Sequence, residues 1–134
     1  MAAAAALGAS AAAAAQFSDS AASGPMTVSS NTLAPPTGVT ASDTSCNNAF
    51  RITIRWTGTT SAFAAAYTVE RATASGGPYT ERGSVGSAIR TYVDAAGISA
   101  RTTYYYRVKS TFRSWFATSS AVSIITPGSP SWNC

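Results

Sequence analysis

Chemistry needs side chains that move protons, attack carbonyls or hold metals, and this chain carries few of them. Histidine is absent, which removes the usual general base and the commonest metal ligand. The five carboxylates, Asp19, Asp43, Glu70, Glu81 and Asp94, are scattered and show no metal-ligand spacing. No two of them form a local pair of the kind that hydrolyses glycosides. Ser119 and Ser120 have no histidine to activate them, so serine hydrolysis is unsupported. No residue pattern calls for a cofactor, and an enzyme is the least favoured class.

The residues that could bind rather than react are of two kinds. Nine Lys and Arg against five Asp and Glu give a net charge of +4, and every basic residue lies between Arg51 and Arg113. A basic domain can meet nucleic acid, but there is no Lys/Arg-rich run and no RNA-binding or helix-turn-helix signature. The cations are therefore read as Arg on the wet faces of a soluble β-domain, with no nucleic-acid partner. The second kind is aromatic. Thr111-Phe112-Arg113-Ser114-Trp115-Phe116 places three aromatics and an Arg in a stretch read as a loop, and these are residue types of binding hot spots. Phe112 is expected to be exposed; the alternative to a binding surface is that Trp115 or Phe116 caps the open end of the fold, and for Trp115 both readings stand. The segment holds no Arg-Gly-Asp motif.

Two cysteines remain, Cys46 and Cys134. An even count in a Ser/Thr-rich, Lys-poor chain favours an oxidising compartment and one disulfide, with two free thiols in a cytosolic protein as the alternative.

The elements that would position these residues are strands. Thr102-Thr103-Tyr104-Tyr105-Tyr106-Arg107-Val108-Lys109 alternates, with Tyr104, Tyr106 and Val108 on one face and Tyr105, Arg107 and Lys109 on the other. That is a strand half-buried on a core. Phe50, Ile52, Ile54 and Trp56 alternate with Arg51, Thr53 and Arg55 in the same way, and Tyr67 and Val69 with Thr68 and Glu70. Further short strands are expected at residues 39–42, 79–83, 89–93 and 117–126, with Gly76-Gly77-Pro78 as a turn and Pro127 as a stop. Seven short strands at this spacing predict an all-β, antiparallel β-sandwich of the immunoglobulin-like kind over residues 38–127. The predicted core is Ile52, Ile54, Trp56, Tyr67, Val69, Tyr92, Tyr104, Tyr106, Val108, Val122 and Ile124. Glu70 and Arg107 are expected to pair across the wet face.

Residues 1–37 differ. Residues 1–15 are almost all Ala, the best helix former, and too short to span a bilayer, which takes roughly 20 apolar residues. Ala13-Ala14-Ala15 before Gln16 is similar to a signal-peptidase site, yet no Lys or Arg precedes it. Two readings stand: the end of a secretion signal, touching the membrane only transiently, or a helical arm retained for assembly. A Pro/Ser-rich linker follows. Leu7, Phe17, Met26, Val28 and Leu33 are the apolar residues through which an arm would dock on a neighbouring subunit, for example as an added strand. The alternative for Phe17 and Leu33 is an arm tucked onto its own domain.

Several of these stretches carry a family resemblance. Pro35-Pro36-Thr37-Gly38-Val39-Thr40-Ala41 is similar to the opening strand of the fibronectin type III domain, and Trp56 stands where that family keeps its core tryptophan. Tyr67-Thr68-Val69-Glu70-Arg71, followed by Ser75-Gly76-Gly77-Pro78-Tyr79-Thr80, resembles the bacterial branch. Ile98, Thr102, Tyr104, Tyr106 and Val108 follow the family's Leu-x-Pro-x-Thr-x-Tyr-x-Val-x-Val run, with Ala100 in place of the proline. The resemblance implies that Tyr104 is the corner tyrosine, bonded back to the backbone near Ile98. Phe17-Ser18-Asp19-Ser20 with Thr32-Leu33-Ala34-Pro35-Pro36 resembles the leader of TasA/camelysin-type secreted surface proteins, and the sandwich itself departs from that type.

In a seven-stranded antiparallel sandwich the first and last strands run the same way. The loop holding Cys46 and the tail holding Cys134, residues 128–134, then meet at one pole. A bridge between them would stabilise the fold by about 4–5 kcal/mol on the loop-entropy account. The sequence thus predicts a secreted or surface-displayed, non-enzymatic structural subunit of a filament, its arm contacting copies of itself. The runner-up is a monomeric adhesion or carbohydrate-associated module that binds another surface protein or a polysaccharide through Phe112, Arg113, Trp115 and Phe116. A virion decoration protein ranks third.

Overall fold

The computed structural model describes residues 31–134. It contains eight strands: β1 (Thr37–Asp43), β2 (Ile52–Thr57), β3 (Ala66–Ala72), β4 (Thr80–Gly86), β5 (Thr91–Asp94), β6 (Thr103–Phe112), β7 (Trp115–Thr118) and β8 (Val122–Ile125). They form two antiparallel sheets, one of three strands in the order β1-β2-β5 and one of five in the order β4-β3-β6-β7, with β8 also paired to β6. The Ala-rich helix and the candidate arm residues Leu7, Phe17, Met26 and Val28 lie outside the described residues.

The count of eight in place of seven has a local cause. β7 and β8 both pair with β6 in the same sense, so they are two halves of one strand. Lys109 faces Thr118 and Tyr106 faces Val122, so the last strand holds one more residue than its partner between these pairs. The surplus forms a bulge at residues 119–121. There the Ser119 N–H donates to the Val108 carbonyl (2.9 Å), and the Val108 N–H donates back to the Ser119 hydroxyl (3.0 Å). A serine that offers its side chain to the backbone can replace a ladder bond, and it does so here.

The core follows the period-2 pattern. Ile52, Ile54, Trp56, Tyr67, Val69, Tyr104, Tyr106 and Val108 are buried together, with Tyr92, Val122 and Ile124 partly buried against them. Burying side chains of this size contributes about 1.5–3 kcal/mol each, so this cluster is the main source of stability. The corner tyrosine is in place. The Tyr104 hydroxyl accepts the Ser99 N–H at 2.8 Å, which holds the crossing from β5 to β6. Tyr104→Phe removes this acceptor and the long bond that the hydroxyl donates to the Gly97 carbonyl (3.5 Å), and thermal denaturation should show a loss of about 1 kcal/mol; no loss would mean the crossing is held elsewhere.

β3 behaves differently from the other strands. Its central residues Tyr67, Thr68, Val69 and Glu70 are all buried, because β4 and β6 flank it and the side chains of β6 cover its outer face. The wet face expected at Thr68 and Glu70 is therefore covered.

The compact unit begins at Thr32, so residues 32–37, read as linker, belong with the sandwich. Leu33 is buried, and the Ala34 carbonyl accepts the Ser110 hydroxyl at 2.7 Å. Of the two readings of Leu33, the structure places it on its own domain and not in an arm that leaves it.

The cysteines are bonded to each other, with Cα atoms 5.0 Å apart across a separation of 88 residues. Asn47 and Asn48 both have positive φ, 52° and 61°. This allows the two-residue turn in which Cys46 pairs with Ala49, and Asn is among the few residues that tolerate the conformation. The turn leaves the Asn48 N–H free to donate to the Ser131 carbonyl at 3.0 Å, which lays the tail beside Cys46.

Candidate interaction site

Residues 111–116 are not a loop. β6 runs to Phe112 and β7 starts at Trp115, with Phe112 paired to Trp115 and Thr111 to Phe116. The whole connection is Arg113-Ser114, and Arg113 takes the left-handed conformation, φ 57°. A two-residue turn fixes strand register and direction, so the aromatics project from a rigid hairpin. Trp115 and Phe116 are 54% and 63% exposed. Phe112, expected on the surface, is half-buried instead, packed edge-on against Phe63 with ring centroids 5.3 Å apart. Phe63 lies between β2 and β3 and had no periodicity to mark it in the sequence. Arg113 lies over the Phe112 ring at 5.3 Å, and Lys109 over the Phe116 ring at 5.0 Å.

Phe116 also ends a ladder of side chains on the outer face of the five-stranded sheet. Lys109 Nζ is 2.9 Å from Glu70 Oε1, Arg107 Nε is 2.6 Å from Glu70 Oε2, and the Arg107 guanidinium lies 4.0 Å from the centre of the Tyr79 ring. The expected Glu70–Arg107 pair is thus present with a second cation on the same carboxylate. Burial pushes the Glu70 carboxyl up, but hydrogen bonds from Lys109 and Arg107, reinforced by their charges, outweigh it and hold the pKa below the usual range. A depressed carboxylate pKa adds stability above the unfolded-state pKa and loses it as pH falls through the folded value. Urea unfolding followed from neutral pH to below pH ~4 should therefore show a decline that shrinks in Glu70→Gln. An unchanged decline would assign it to another carboxylate.

A second hub was not foreseen. Asp94, at the end of β5, is 1% exposed. Its Oδ2 accepts Arg71 Nη1 at 2.8 Å and the Tyr106 hydroxyl at 2.9 Å. Arg82 Nε lies within ion-pair distance, 3.4 Å, without making a hydrogen bond. Arg71 also donates to the Ala96 and Gly97 carbonyls and stacks 4.7 Å from the Tyr104 ring centre. Burial first, and the Asp94 charge next, push the Tyr106 phenol well above its ordinary value. In sequence the only hint is a charged residue ending a short apolar strand. Its partners sit on β3, β4 and β6 and carry no local signature.

The two buried carboxylates are therefore spent on holding strands together. Among the described residues no group of three acidic, His or Cys side chains could hold a metal. What the surface offers is contact: a rigid aromatic hairpin with cations beside it.

Comparison with solved structures gives the same architecture. A Fn3-like protein from Clostridium thermocellum matches with a TM-score of 0.55 and 27% identity over 74% of this chain and 96% of that one. The fold is that of a fibronectin type III domain. A human collagen XX domain of this type matches at a TM-score of 0.56 and 16% identity, over 77% of this chain and all (100%) of that one. The chicken CNTN1 FN1-FN3 domains match at 0.60 and 18%, over 72% of this chain and 31% of that longer one. No protein-family model and no curated protein matches the sequence. The fibronectin type III fold commonly serves as a structural or binding module, and fold and disulfide together are typical of extracellular domains.

Proposed function

We propose that the chain is a non-enzymatic structural subunit of an extracellular or cell-surface filament, with the sandwich as its rigid body and residues 1–30 making contacts between copies. The observation that supports this is how the reactive side chains are used. Asp94 and Glu70 are consumed in cross-strand ion pairs, and the cysteines in a staple, so the fold is built to persist in an oxidising medium. Electron microscopy of the purified full chain tests the reading. Filaments should form, and deletion of residues 1–15 should abolish them while leaving the thermal transition of the sandwich in place. A secreted form whose intact mass begins at Gln16 and which still forms filaments would remove the arm from the assembly.

The exposure of Trp115 and Phe116 favours a second reading, a monomeric module that binds through the hairpin. Trp115→Ala with Phe116→Ala separates the two. It should leave filaments intact under the first reading and remove partner binding under the second.

A further inference from the structure

Charge is distributed unevenly along the strands. Pairing places Thr37, Thr57, Ala66, Gly86 and Phe112 at one end of the sheets, and Asp43, Ile52, Ala72, Thr80 and Asp94 at the other. All four carboxylate side chains of the described residues, Asp43, Glu70, Glu81 and Asp94, lie in the half away from the hairpin. Four cations are matched to two of them, Arg71 and Arg82 to Asp94 and Arg107 and Lys109 to Glu70, while Arg51 and Arg101 of that half are exposed outside these pairs. In the hairpin half Arg55, Arg90 and Arg113 are all exposed, and no carboxylate among the described residues pairs with them.

Exposed apolar side chains occur at both ends, with Val93, Ile125 and Trp132 in the other half, and at the hairpin end they stand beside cations with no carboxylate in the same half. Trp115 and Phe116 stand on the hairpin, and Ile89, 44% exposed, lies on the connection from β4 to β5. The three connections at this end touch in series. Phe63 packs on Phe112, Arg90 lies over the Tyr67 ring at 5.0 Å, and the Tyr67 hydroxyl accepts the Thr59 N–H at 2.9 Å. These contacts tie the connections at this end to the sheets beneath them.

We infer that this hairpin end binds an anionic lipid surface, with Trp115, Phe116 and Ile89 entering the interfacial layer and Arg55, Arg90 and Arg113 meeting lipid phosphates. The inference rests on the second reading above, in which the hairpin is a contact surface. Trp is amphipathic and settles at the boundary between water and acyl chains. Arg presents a planar fork of donors that suits phosphate, and basic residues near an anionic membrane each add attraction that salt screens. A polysaccharide fits less well. Sugars stack on open ring faces, whereas Lys109 and Arg113 already occupy a face of Phe116 and of Phe112. An acidic protein could meet the same cations and seat the indole, and the polyglutamate arm of the test below separates it from a lipid surface.

The test is co-sedimentation of the oxidised full chain with phosphatidylcholine vesicles, with and without phosphatidylglycerol, at low and high salt. Binding should need phosphatidylglycerol and fall about tenfold or more at high salt. It should fall by a similar factor in Trp115→Ala/Phe116→Ala and in Arg113→Glu, and stay unchanged in Trp132→Ala, which alters an exposed side chain in the disulfide-bonded tail. Brominated acyl chains should quench emission in Trp132→Phe and much less in Trp115→Phe. Equal binding to neutral vesicles, or anionic binding that the hairpin variants leave untouched, overturns the inference. Hairpin-dependent capture of soluble polyglutamate or a polysaccharide without vesicle binding also overturns it, while sparing the hairpin as a contact surface. If the hairpin variants change binding to none of these, the second reading fails with it.

Discussion

Replacing Asp94 with alanine is expected to destabilise the sandwich by about 3–5 kcal/mol, the usual result of removing one partner from a buried ion pair. The substitution leaves the Arg71 guanidinium in a site where the carboxylate at 2.8 Å is lost, and it strands the Tyr106 hydroxyl, which donates to the same oxygen. Tyr106 is fully buried, so its hydroxyl cannot turn to water, and an unsatisfied buried donor costs roughly 1–3 kcal/mol by itself. The Ala96 N–H, 3.3 Å from Asp94 Oδ1, loses its acceptor too. In a domain of this size the melting temperature should drop by more than roughly 10 °C. Arg71 keeps its bonds to the Ala96 and Gly97 carbonyls, which limits the damage to the crossing from β5 to β6. Asp94→Asn can still accept from Tyr106 and should cost less than alanine. If Asp94→Ala unfolds at the wild-type urea midpoint, the ion pair is not what joins the two sheets at this end.

The two carboxylate hubs mark where reading the sequence stops. Side chains alternate along a strand, so Ile52, Ile54, Trp56, Tyr104, Tyr106 and Val108 declared the core without knowledge of their neighbours. The corner at Tyr104 was implied by the family resemblance, and the bond that makes it spans only five residues. Arg71, Arg82, Asp94 and Tyr106 meet because β3, β4, β5 and β6 converge, and no local pattern encodes that. Glu70 was placed correctly opposite Arg107 but drawn too wet. Its burial depends on β3 being an inner strand of five, a property of the whole sheet. At the candidate site the residue types of the hairpin were visible, but its shape was not. The turn Arg113-Ser114 lacks the Asn-Gly or Asp-Gly that usually announces a two-residue connection, and an Arg adopts the positive φ instead. Phe63 has no alternating neighbours, so its packing on Phe112 had to be seen. The bulge at residues 119–121 was hidden for a related reason: Ser119 substitutes a hydroxyl for a ladder bond, and a serine in sequence does not say which it will do.

Opening the Cys46–Cys134 bridge is the other change expected to have a large effect. The bond closes a loop of 88 residues that holds every strand from β2 to β8. The loop-entropy account puts the cost of its loss at about 4–5 kcal/mol, and measured losses in small secreted domains span about 2–5 kcal/mol. Cys46→Ser/Cys134→Ser should therefore lower the urea midpoint and raise the slope, since the unfolded chain, no longer cross-linked, exposes more surface while the native surface is nearly the same. The loss would act chiefly through the unfolded chain, because the core cluster does not touch the bridge: Ile52 and Val108 remain buried among the same neighbours. In the folded state the effect is local. Without the bridge, the bond from the Asn48 N–H to the Ser131 carbonyl is left to hold the tail beside the first loop, and one exposed hydrogen bond contributes only about 1 kcal/mol. Residues 128–134 should then exchange amide hydrogens rapidly and yield to protease, while the strands of the sandwich stay protected below the new midpoint. Reduced wild-type protein should behave as the double serine variant does. If reduction frees the tail but leaves the urea midpoint where it was, the unfolded chain is already restrained near these residues and the staple serves the tail alone.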